Sequence, residues 1–181
     1  MRPFVLFAVF SLAACAAGSG RVETHSQAPS FRAKGLALAA ARGARGKGPE
    51  LSRALSSRLE AGGLHAAALE ESDSVLAGSA LGLDVASNPR VLSEIHSATG
   101  ADAIVFLTLD PAWKTLDVAV LDLATGEPVL RATARPRGDA FASVDEVAAS
   151  AAEALSGLSP ERAKAAAAAR AGGGLDEIPV P

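Results

Sequence analysis

The chain is 181 residues long, with a formal net charge of −3 and a single cysteine. Its length suits one domain with short appendages, its charge opposes nucleic acid or anionic lipid as the main partner, and one thiol excludes an intramolecular disulfide. Apolar residues make up 49% of the chain but aromatic ones only 4%, so alanine, leucine and valine must build an aliphatic core.

Arg2 is the only charge ahead of an apolar run from Phe4 to Phe10 that continues through Ser11 to Ala14. A positive start, a short apolar stretch and small residues have the form of a secretory signal, and the run falls short of the roughly 20 residues a spanning helix needs. Leu12-Ala13-Ala14 then leads into Cys15, the sole thiol. This pattern resembles the lipobox of bacterial lipoproteins. The resemblance implies cleavage between Ala14 and Cys15, thioether-linked diacylglycerol on Cys15, and acylation of the new amine by a palmitate-type chain. Two or more acyl chains suffice for a stable anchor. By resemblance to enterobacterial sorting, Ala16 (a residue other than Asp) implies the outer rather than the inner membrane, with the domain facing the periplasm. The plainer alternatives are an ordinary secretory signal in which Cys15 is incidental, and an uncleaved short anchor.

Residues 16–30 are small and polar and read as a flexible tether, with an r.m.s. reach of roughly 20 Å. Ala33 to Ala40 reads as a first strand with Leu36 and Leu38 on one face. Arg42 to Gly48 is a glycine-rich basic loop. Leu51, Leu55 and Leu59 form an apolar stripe on a helix from Pro49 to Ala61, which Gly62-Gly63 ends. Leu64 to Leu69 is a short second strand, and Glu70 to Leu81 reads as a further helix. Asn88 caps the next helix with Pro89 at its first position; Val91, Leu92 and Ile95 supply its buried face and Gly100 follows its end. Ala103 to Leu109 is a continuous apolar run suited to a strand buried on both faces. Leu116, Val118 and Val120 alternate along another strand, a turn at 124–127 offers Gly126 for positive φ, and Val129 to Arg135 returns. Ser143 and Glu146 have capping-box spacing for a helix to about Gly157. An alanine-rich helix and a loose tail close the chain.

The expected fold is therefore α/β: a mixed sheet of about five strands with flanking helices, in the order β-α-β-α-α-β-β-β-α. The expected organisation is a signal peptide over 1–14, a lipidated N-terminus and tether over 15–30, a globular domain over 31–158, an alanine-rich helix over 159–171 and a tail over 172–181.

Three stretches resemble the curli-assembly and penicillin-binding-protein-activator lipoproteins. They are the helix-to-strand passage Ile95 to Leu109 through Gly100-Ala101-Asp102, the hairpin Leu116 to Leu130 with its Thr125-Gly126-Glu127 turn, and the Leu51 to Leu59 helix followed by two glycines. The resemblance covers roughly residues 33–157. It implies a non-catalytic envelope protein that binds a protein partner in envelope or cell-wall assembly. No paired alternating segments supply the pore-forming hairpins of the curli type.

Candidate chemistry is sparse. Gly43-Ala-Arg-Gly-Lys-Gly48 lies where a phosphate loop would, but Ala41 replaces the first glycine and Gly48 the hydroxyl residue, so no nucleotide is expected. His25, His65 and His96 lack ligand spacing, so no metal is expected. Gly78-Ser79-Ala80-Leu81-Gly82 has the wrong order for a nucleophile elbow, and no catalytic residue is assigned. Asp102, Asp110, Asp117 and Asp122 fall near strand ends, where carboxylates are common. Trp113, in a loop, either anchors a partner or folds back over the sheet edge. Arg45 and Lys47 join it as candidate partner contacts. The alternatives to a protein-binding envelope protein are a periplasmic small-molecule or lipid-binding module and, less favoured, an envelope hydrolase.

Overall fold

A computed structural model describes residues 20–69 and 88–160. The lipobox with Ala14 and Cys15, the Glu70 to Leu81 segment, and nearly all of the alanine-rich helix and tail lie outside the described residues. Six strands and three helices follow in the order β1 (Arg21–Ser26), β2 (Gly35–Leu38), α1 (Gly48–Ala61), β3 (His65–Ala68), α2 (Pro89–Thr99), β4 (Ala103–Leu109), β5 (Leu116–Asp122), β6 (Pro128–Arg135) and α3 (Val144–Leu155). A 3-10 turn, Ser156–Leu158, follows α3. The strands form one mixed sheet in the order β1-β6-β5-β4-β2-β3.

β2 lies between β3 and β4 and runs parallel to both, while β4, β5, β6 and β1 pair antiparallel in succession. The passage from β2 to β3 and the return from β3 to β4 travel in opposite directions across the sheet. Right-handed crossovers then require their helices on opposite faces. The packing obeys this. Leu51, Leu55 and Leu59 of α1 join Val147, Ala151 and Leu155 of α3 over Leu36, Leu38, Val105, Leu107 and Val118. On the other face Leu92 and Ile95 of α2 cover Ala37, Ile104, Phe106 and Leu121. Alternate residues of β2 and β4 thus serve two cores, which explains their burial at every position except Thr108.

Helix ends follow their sequence signals. The Asn88 side chain accepts from Val91 N–H, and Gly100 closes α2 with a φ of 67°. Ser143 Oγ accepts from Glu146 N–H at 3.2 Å. Glu146 returns its carboxylate to Ala142 N–H rather than to the cap residue's own amide. Ser150, on the buried side of α3, is 0% exposed and its hydroxyl has no hydrogen-bond partner. Burying an unpaired hydroxyl costs about 1–3 kcal/mol, so Ser150→Ala is expected to raise the denaturation midpoint in urea without changing the slope.

One expectation is corrected. The tether assigned to residues 15–30 does not run unbroken, because Arg21–Ser26 is a strand paired along β6 from Arg21↔Arg135 to Ser26↔Leu130. The strand is exposed almost throughout, so it shows no apolar alternation. Only Val22, which packs on the core, and Thr24 carry a β-branched signal. With β1 the sheet has six strands, in keeping with the expected mixed sheet of about five.

Candidate interaction site

The strand directions bring several loops to one end of the sheet, the end where β2 and β4 finish, called the upper end below. The segment after β2 extends along β4: Ala39 N–H donates to Val105 O, Arg42 N–H to Leu107 O, and Leu109 N–H to Arg42 O. This brings the basic loop 42–47 against the loop 110–115 that joins β4 to β5.

Asp110 organises the second loop. Its carboxylate accepts from the backbone N–H groups of Ala112, Lys114 and Thr115 at 3.1, 2.5 and 2.6 Å. These bonds favour the charged form and hold its carboxyl below the ordinary carboxylate value, with the Thr115 N–H the largest cause. A lowered folded-state pKa stabilises above the unfolded value near 3.8, and that contribution is lost as pH falls through the folded value. An acid titration followed by Trp113 emission is therefore expected to show loosening of this loop only below the ordinary carboxylate range. Asp110→Ala should show a red-shifted emission at neutral pH.

Trp113 sits at the loop tip with a φ of 59°, and Arg45 opposite has a φ of 50°. Both are left-handed conformations that side-chain-bearing residues adopt only under constraint. The constraints are visible. Trp113 Nε1 donates to Gly43 O at 3.3 Å, and Phe141 N–H donates to Trp113 O at 2.7 Å. The Arg45 guanidinium donates to Pro111 O. Lys47 Nζ stands 6.0 Å from the centre of the Trp113 ring, at the outer limit of a cation–π contact. Trp113 is half-buried against the main core, while Arg45 and Lys47 are exposed. The structure thus brings together the three candidate contacts, and the indole covers the sheet end with its cationic neighbours outside it.

Other cations share this end by register alone. Arg21 pairs across from Arg135, and Arg137 and Lys114 lie in the adjoining loops. Local sequence gave no signal that would join them.

The remaining carboxylates are dispersed. Asp117, one residue inside the upper end of β5, accepts from Thr133 Oγ1. Asp102 accepts from Lys34 N–H, and Asp122 from Ala124 N–H and Thr125 Oγ1, all at the lower end. There a cleft of about 490 Å³ is lined by Arg32, Lys34, His96, Asp102 and Asp122 among others. Phe31, Pro89, Leu123 and Ala124 supply apolar surface beside these charged groups. His96 Nδ1 donates to Ala101 O at 2.6 Å, which fixes the ring tautomer at the end of α2. His25 and His65 stand on β1 and β3, the two outer strands. No three His, Cys, Asp or Glu side chains among the described residues are grouped to hold a metal. Among the same residues no helix is long and apolar enough to cross a membrane.

These elements define a mixed α/β fold with, among the described residues, two helices on one face and one on the other. No family model and no curated protein matches the chain. Among solved structures it is similar to a point variant of the PelC dodecamer from Paraburkholderia phytofirmans. That likeness has a TM-score of 0.51 at 18% identity and covers 77% of this chain and 97% of that one. PelC of the same organism in a second crystal form aligns at 17% identity and TM-score 0.46, over 77% and 96% of the two chains. Lipoprotein GNA1162 from Neisseria meningitidis aligns at 11% identity and TM-score 0.40, over 78% and 99%. The first of these shows a shared fold across nearly the whole of the PelC chain.

Proposed function

We propose that the protein is a lipid-anchored, non-catalytic component of a bacterial cell envelope that acts by binding a protein partner. The observation that carries this reading is Leu12-Ala13-Ala14-Cys15, where the only cysteine follows a short apolar run. The lipid on Cys15 is the sole cofactor in this reading, and Ala16 favours the outer membrane. Anchoring confines a small domain to one surface and raises its effective concentration near a partner fixed there. The motif resemblance to the curli-assembly and penicillin-binding-protein-activator lipoproteins points the same way, toward envelope assembly. The partner includes further copies of the chain in a second form of this reading. It is favoured by β1, a six-residue strand paired on one side only among the described residues, and by the dodecameric state of the PelC neighbour.

In-cell crosslinking of the lipidated protein, with mass spectrometry of the captured chains, tests this reading. The expected result is a discrete envelope protein captured by the native chain and lost in Cys15→Ala. Capture of the chain by itself selects the second form. Equal capture by Cys15→Ala would contradict tethering as the mechanism.

A further inference from the structure

We infer that β1 is a self-association edge: two copies of the chain pair antiparallel along β1 about a two-fold axis at Thr24, joining their sheets into one. This rests on the self-association form of the reading above and gives it a surface and a register.

Backbone direction supplies the first argument. Gln27 N–H donates to Val129 O at 2.8 Å, on the β6 side. Alternation then turns the amides and carbonyls of Arg21, Glu23 and His25 toward β6, and those of Val22, Thr24 and Ser26 away from it. Among the described residues no strand meets that outer row. β1 has no proline and no bulge, two devices that stop a further strand from adding; its register on β6 is unbroken. A second copy turned about an axis normal to the sheet presents the same row in the opposite direction.

Side chains supply the second argument and fix the register. With the axis at Thr24, Val22 opposes the partner's Ser26 and Thr24 opposes the partner's Thr24, and each such pair exchanges two N–H···O bonds. On the face away from α3, Glu23 opposes the partner's His25, and the same contact recurs across the axis. Arg131, beside His25 on β6, adds a further cation where that carboxylate arrives. Moving the axis one residue either way sets Glu23 against the partner's Glu23 or His25 against the partner's His25, and like charges directly opposed are unfavourable. On the α3 face the partner's Val22 comes beside a cleft of about 330 Å³, lined by Thr24, Ser26, Ala28, Ala154 and Leu158 among others. α3 packs over β1, β6 and β5, so it centres on β6, one strand in from the edge. At about 4.8 Å per strand its two copies stand about 14 Å apart, wider than the 8–10 Å of packed helices, and leave the strands free to meet.

Thr24→Cys in the full-length chain, held in bacterial membranes, tests the register. The probe is a bifunctional thiol reagent spanning about 5 Å, the Cβ separation of directly opposed residues. A covalent dimer is expected. It should be absent from the native chain, which has Cys15 alone, and from Ser26→Cys, whose two copies would lie about 14 Å apart along the strands. Coexpressed Val22→Cys and Ser26→Cys chains are expected to link to each other, which keeps the test valid should Thr24→Cys misfold. E23K sets a cation against the partner's His25 and should lower the yield about fivefold, and E23K/H25E should restore it. The assembly state of the native chain, solubilised in detergent, is read by native mass spectrometry. Assemblies of the chain with no link at Thr24 or between Val22 and Ser26 overturn the β1 pairing and leave self-association standing. A chain that is monomeric and unlinked overturns both. Thr24→Cys linked to a different protein assigns the edge to another partner and also overturns the inference.

Discussion

Leu55→Ala is expected to lower the unfolding free energy by about 2–5 kcal/mol, read as a lower midpoint in urea. Leu55 is 0% exposed, at the centre of the α1 stripe, where α1 and α3 meet over the sheet. Truncation removes its transfer energy and leaves a cavity, because the neighbours on three elements cannot collapse together. Folded domains are stable by only about 5–15 kcal/mol, so one side chain takes a large share. A loss below about 1 kcal/mol would mean that α1 does not pack on the sheet as described.

Gly43→Ala is expected to cost on the order of 3 kcal/mol and to shift Trp113 emission to the red. Two effects combine at this position. Its φ of 74° disfavours any side chain, and a Cβ there would lie 2.0 Å from Leu109 O, a backbone atom that cannot swing aside. Gly43 O also accepts the Trp113 indole N–H, so displacing the loop frees the ring. Gly46→Ala separates the two effects. Its φ of 80° is similar, but nothing lies within 4 Å of the added carbon, so only the conformational cost of about 1 kcal/mol remains. Equal losses at the two positions would contradict the close approach of the loop to β4.

The contrast between these two glycines shows what sequence could and could not convey. Glycines in the 42–48 loop marked irregular backbone, but only the approach to Leu109 distinguishes Gly43 from Gly46. Elements with a strong period were legible: the leucines of α1, the Asn88-Pro89 start of α2, and the alternation of β5 all reflect local burial. β1 was not legible, since an exposed edge strand has no buried face to impose a pattern. The site was half legible. Trp113, Arg45 and Lys47 stood out as residue types, yet their meeting depends on parallel pairing of β2 with β4, a non-local event. Arg21, Arg135 and Arg137 reach the same end through the register of β1 on β6, which no window of sequence contains. The domain boundary shifted for the same reason, since β1 extends the folded part to Arg21.

The intact mass of the protein purified from bacterial membranes tests the central claim most directly. The account predicts a chain beginning at Cys15 that carries the added mass of a diacylglyceryl group and a third acyl chain. In Cys15→Ala that added mass is absent and the protein leaves the membrane fraction. A native chain that begins elsewhere, or one without added lipid mass, would contradict the account.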